Sequence, residues 1–94
     1  MAIELNPNNA GYYNSRGNAY YNLERYEEAL LGYTEAIALE PANPAFAVVY
    51  CNRGDTYMKL NNKESALKDY EKALGMEPEN ETFRERVEAI KKTQ

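Results

Sequence analysis

The sequence predicts an all-α fold, a solenoid of antiparallel helix pairs. Three observations carry it: the chain repeats itself at an offset of 37 residues, apolar residues recur at helical spacing inside each copy, and short polar turns or prolines separate the stripes. Tyr13-Asn14-Ser15-Arg16-Gly17-Asn18-Ala19-Tyr20 returns as Tyr50-Cys51-Asn52-Arg53-Gly54-Asp55-Thr56-Tyr57. The same offset carries Ala29-Leu30 onto Ala66-Leu67, Tyr33 onto Tyr70, Ala36 onto Ala73, and Leu39-Glu40-Pro41 onto Met76-Glu77-Pro78. A partial copy opens the chain, where Ala2-Ile3-Glu4-Leu5-Asn6-Pro7 matches Ala36-Ile37-Ala38-Leu39-Glu40-Pro41 at an offset of 34.

The elements follow in order. Tyr13, Tyr20 and Leu23, with Gly17 between them, share one face of a first helix over residues 10–23. A glycine inside a helix costs about 0.5–1 kcal/mol against alanine, so close approach of a second helix through Ala29 and Ala36 is expected to offset it. Ala29, Leu30, Tyr33, Ala36 and Ile37 form the stripe of that second helix, over residues 26–39. The turn between Leu23 and Tyr26 is too short for anything but antiparallel neighbours. Pro41 and Pro78 stand just past the stripes, where a helix must end. Asn43-Pro44 reads as a cap followed by proline in the first helical position, which starts the third helix at 44 and runs it to 60. Asn61-Asn62 makes a tight turn and caps a fourth helix over residues 63–76. Past Asn80, itself placed as a cap, Phe83, Val87 and Ile90 lie on one face of a fifth helix over residues 81–92.

These residues also resemble a known family. Tyr13-x2-Arg16-Gly17-x2-Tyr20, Ala29-x3-Tyr33 and Pro41, then Tyr50-x2-Arg53-Gly54-x2-Tyr57, Ala66-x3-Tyr70 and Pro78, are similar to the tetratricopeptide repeat pattern, whose period is about 34 residues. Tyrosine replaces the family's Trp and Phe in both copies, and Arg16 and Arg53 replace its Leu. Their stems are expected along apolar surface with the guanidinium groups in water. The resemblance implies a right-handed α-solenoid. It divides the chain into the tail of a preceding repeat (2–9), repeat one (10–43), repeat two with three extra residues (44–80) and a capping helix (81–94). Read so, the chain looks like a short piece of a longer solenoid.

Composition narrows the function. With 94 residues, one Cys and no His, the chain has no internal disulfide and lacks the commonest general base and zinc ligand. No glycine-rich phosphate loop occurs, and the adjacent Glu27-Glu28 point to different helix faces. No catalytic residue, metal ligand or cofactor is assigned, and the chain reads as a non-enzyme. Residues 1–46 carry six acids against two bases, which argues against binding nucleic acid or lying on anionic lipid. With no membrane-spanning run and no basic-then-apolar leader, the expected location is cytoplasmic. Asn80-Glu81-Thr82 fits a glycosylation triplet, but nothing marks the chain for secretion.

The resemblance implies a concave groove lined by the first helix of each repeat and holding an extended peptide of another protein, in a scaffold or adaptor role. Carried onto this chain, the groove candidates are Asn14, Asn18, Tyr21 and Asn22 from the first copy, with Val48, Cys51, Asn52, Asp55, Met58 and Lys59 from the second. Asparagine amides grip a peptide main chain without demanding a sequence. Family members that hold acidic chaperone tails use a clamp of Lys, Asn, Asn, Lys and Arg, matched here by Asn14, Asn18, Asn52, Thr82 and Arg86. Both lysines are missing, and with them most of the charge-assisted bonding a carboxylate needs. The alternative of a different class is self-association into a homo-oligomer through an exposed N-terminal repeat end.

Overall fold

Three asparagines start three of the helices in the computed structural model, which describes residues 9–40 and 43–92. Asn9 Oδ1 accepts from the Tyr12 amide, Asn62 Oδ1 from Ser65 and Asn80 Oδ1 from Phe83, each at 3.1 Å. Each bond satisfies an amide that the first helical turn leaves without a partner. The helices are α1 (Ala10–Asn22), α2 (Tyr26–Leu39), α3 (Ala47–Lys59), α4 (Lys63–Met76) and α5 (Glu81–Lys92), with no strand among the described residues. Each packs on its neighbour in the chain, and α1 also touches α3. The fold is an all-α solenoid of helix pairs.

The two intra-pair turns are copies of one another. Glu24 and Asn61, 37 residues apart, both take φ 62°. Around each, the next amide reaches back to the helix: Arg25 N donates to Tyr20 O and Asn62 N to Tyr57 O, both at 2.9 Å. This left-handed cap reverses the chain and makes α1–α2 and α3–α4 antiparallel.

The expected start of the third helix is corrected. Pro44–Phe46 form a separate 3-10 turn, and the α-helix begins at Ala47. Asn43 does cap, but it caps the 3-10 turn: Ala45 N donates to its Oδ1 at 3.0 Å and Phe46 N to its carbonyl at 2.8 Å. The tighter turn absorbs the three extra residues and packs Phe46 against the core, leaving α3 in register to bury Ala47, Val49, Tyr50 and Cys51. Pro41 and the expected repeat tail over 2–8 lie outside the described residues.

Between the pairs the core is built from Tyr33, Ala36 and Ile37 of α2, Val49 and Tyr50 of α3, and Tyr70 and Ala73 of α4; Phe83, Val87 and Ile90 of α5 extend it. Of the six recurrent tyrosines, Tyr33, Tyr50 and Tyr70 are buried, whereas Tyr13, Tyr20 and Tyr57 pack against the core partly exposed. The Gly17 offset is close approach, as expected: a Cβ there would come within 2.8 Å of the Tyr33 ring and 3.2 Å of Ala29 O. A Cβ on Gly32 would come within 2.8 Å of Gly17 N and 2.9 Å of Tyr13 O, so α1 and α2 touch backbone to backbone.

The expectation for Arg53 is overturned. Its guanidinium does not sit in water but forks onto Asp69 and reaches Thr34. A side-chain exposure of 18% fits an inter-helix ion pair rather than a solvated head. Arg16 does keep its head exposed and lies 5.9 Å over the Tyr20 ring.

Candidate functional site

Helices α1 and α3 lie side by side with their polar faces turned the same way, and between them runs a cleft of ≈ 240 Å³. Asn18, Tyr21, Asn22, Tyr33, Asn52 and Asp55 line it. Five of these six were expected from the sequence. The sixth, Tyr33, is a core aromatic whose ring is 1% exposed, yet its hydroxyl donates to Asn18 Oδ1 at 2.5 Å. Its polar tip was the only signal that a packing residue would also reach the site.

The repeat places the same device in the second copy. Tyr70, 37 residues after Tyr33, donates its hydroxyl to Asp55 Oδ1 at 2.5 Å, and Asp55 stands where the first copy has Asn18. The second helix of each pair thus holds a groove side chain of the first. Asn52 Nδ2 makes a long 3.5 Å contact to Asn18 Oδ1, linking the two copies across the cleft.

From α5, Arg86 closes the assembly. Its Nε donates to Asp55 Oδ1 at 2.9 Å and its Nη2 to Asp55 Oδ2 at 3.3 Å. That hydrogen bond, with the attraction of the same carboxylate, holds the guanidinium more firmly protonated than an ordinary arginine. Burial pushes the Tyr33 phenol up to about 12, and burial followed by the bond to Asp55 pushes Tyr70 higher still. Tyr21 is also raised, chiefly by burial and then by Asp55, while Lys59 and Arg86 pull it back. Tyr21 therefore sits within the field of all three charges, and its ring packs edge-on to Tyr26 at 5.4 Å.

The remaining candidates fall outside the cleft lining. Met58 is half-buried against the core, and Lys59 is exposed at the end of α3. Asn14 lies one turn before Asn18, and its Oδ1 is buried. Val48 is 46% exposed but does not line the cleft. Cys51 is a correction: at 4% exposure it belongs to the core, where burial raises its thiol to about 11. Among the described residues, no three His, Cys, Asp or Glu side chains gather to hold a metal, and no helix is long and apolar enough to cross a membrane.

Known proteins share this fold. Three family models match: two described as tetratricopeptide repeat, over residues 47–80 and 1–30, and one described as TPR repeat, over residues 17–61. No curated sequence matches significantly. Among solved structures, the TPR domain of Arabidopsis OM64 is 30% identical with a TM-score of 0.80, covering 89% of this chain and 67% of that one. The first TPR domain of Spaghetti (RPAP3), bound to the HSP90 peptide SRMEEVD, is 27% identical with a TM-score of 0.86, covering 97% and 72%. The N-terminal domain of stress-induced protein-1 from C. elegans, at 19% identity and a TM-score of 0.83 over 95% and 72%, shows the likeness of fold alone.

Proposed function

Because the chain belongs to the tetratricopeptide repeat family of protein-interaction modules, we propose that it holds an extended segment of another protein in the α1–α3 cleft, as a scaffold or adaptor. The observation that carries this reading is the cleft itself, where three asparagine amides, Asn18, Asn22 and Asn52, face one ≈ 240 Å³ space beside Tyr21. Each amide can both donate to and accept from a peptide main chain, which suits a partner recognised by its extended backbone. The peptide-bound Spaghetti domain supports the mode. On this reading residues 10–43 and 44–80 are the two repeats, 2–9 the tail of another, and 81–94 the cap, and no residue carries catalysis.

Asn22→Ala with Asn52→Ala is the informative variant, since neither side chain accepts a hydrogen bond from the core, whereas that of Asn18 anchors Tyr33. A peptide-library pulldown with the native chain should return partners that the double variant loses while its helical circular dichroism stays intact. Partners retained by a folded double variant would refute the cleft as their site.

A further inference from the structure

Arg86 is the cation on the α5 side of the site, and its charge is already matched from within the molecule. Asp55 accepts from both Nε and Nη2 of Arg86 while its Oδ1 also takes the Tyr70 hydroxyl. The Tyr70 ring is 2% exposed and fixed in the core, so Asp55 cannot turn away from Arg86 without stranding a buried hydroxyl. A partner carboxylate brought to Arg86 therefore also meets the Asp55 carboxylate, and attraction and repulsion nearly cancel.

The first copy shows that this charge is not needed for the fold. There the equivalent tyrosine, Tyr33, bonds to an uncharged amide, Asn18, at the same 2.5 Å. The negative charge at position 55 does its distinct work on Arg86.

We propose that Asp55 is a built-in carboxylate that occupies Arg86, so that the cleft gives acidic chain ends no preference over extended segments with uncharged side chains. This rests on the α1–α3 cleft being the binding site. The indifference is electrostatic: the cleft presents amides and a neutralised pair, with Lys59 as the neighbouring cation at its end acting on Tyr21.

The test is fluorescence anisotropy with two labelled peptides, Ser-Ala-Glu-Leu-Glu-Asp with a free carboxylate and Ser-Ala-Gln-Leu-Gln-Asn with an amidated end. Asp55→Asn reproduces the arrangement already present at Asn18, so it keeps the Tyr70 bond and folds. The native chain should bind the two peptides within about threefold, and Asp55→Asn should bind the acidic one at least tenfold more tightly than the native chain does, about 1.4 kcal/mol. Adding Arg86→Gln to Asp55→Asn should abolish that gain. A native chain that already prefers the acidic peptide tenfold, or an Asp55→Asn chain with no gain for it, overturns the proposal. Failure of the cleft itself would show separately, as library partners that survive Asn22→Ala with Asn52→Ala.

Discussion

Arg53 forks onto Asp69 from α3 to α4, Nε to Oδ2 and Nη2 to Oδ1, both at 2.8 Å, and the first copy has no counterpart because Gly32 stands where Asp69 would be. The remaining arm, Nη1, donates to Thr34 Oγ1 on α2 at 3.2 Å. One side chain thus ties α3 to both of its neighbours. Both pairs close on a helix glycine, Gly17 against Tyr33 and Ala29 and Gly54 against Tyr70 and Ala66, but the first adds a backbone contact at Gly32 where the second adds an ion pair.

Asp69→Ala should therefore cost far more than a surface pair. Asp69 is 7% exposed, and its loss leaves the half-buried Arg53 guanidinium without its carboxylate and with only the Thr34 bond, at about 2–3 kcal/mol. Glu28→Gln, which breaks the exposed Arg25–Glu28 pair, should cost at most about 1 kcal/mol. Urea midpoints read both, and comparable midpoints for the two variants would show that the fork contributes nothing special.

Two glycines should respond in opposite senses. Gly32→Ala drives a Cβ into the Gly17 backbone at 2.8 Å, where no side chain can move aside, and should destabilise by about 1–3 kcal/mol. Gly75 lies inside α4 with nothing within 4 Å, so Gly75→Ala should stabilise by about 0.5–1 kcal/mol. Thermal melts of the two single variants check the pair, and a neutral Gly32→Ala would refute the backbone contact.

The repeat made most of the fold legible, because helix stripes, caps and turns are local patterns and each appears twice. What it hid lay where the copies differ. Aligning Arg16 with Arg53 treated both as solvated, although only the second has a carboxylate in the matching place on its partner helix, Asp69 against Gly32. The start of α3 was misjudged because Asn43-Pro44 caps a 3-10 turn and an α-helix with the same residues. Cys51 was placed in the groove by the family resemblance, yet it adjoins the polar face without sharing it and is buried. Asp55 and Arg86 were each named, but their pairing depends on how α5 docks, which no local pattern encodes.

The α1–α2 turn can be improved. Glu24 holds φ 62°, a conformation that costs an ordinary side chain about 1 kcal/mol, while the equivalent Asn61 tolerates it. Glu24→Gly should raise stability by about 0.5–1 kcal/mol, and Asn61→Gly should change it by less. Denaturant unfolding of both variants decides, and a destabilised Glu24→Gly would show that the Glu24 side chain makes a contribution outweighing its backbone strain.

Alkaline pH should unfold the chain through its buried phenols. Folding raises Tyr33 from 10.0 to about 12, first by burial, and raises Tyr70 further by burial and by its bond to Asp55. A raised folded value means that the native state keeps its proton after the unfolded chain has released it. The stabilising contribution is complete below pH 10.0 and is lost as pH climbs through about 12. Cys51, raised from 9.0 to about 11 by burial, begins the same loss slightly earlier. The denaturant midpoint should hold steady up to about pH 9 and then fall continuously. Phenolate absorbance at about 295 nm should show Tyr33 and Tyr70 ionising only as helical circular dichroism collapses. Ionisation of Tyr33 and Tyr70 near pH 10.0 in a chain that stays helical would place both hydroxyls in water rather than on Asn18 and Asp55.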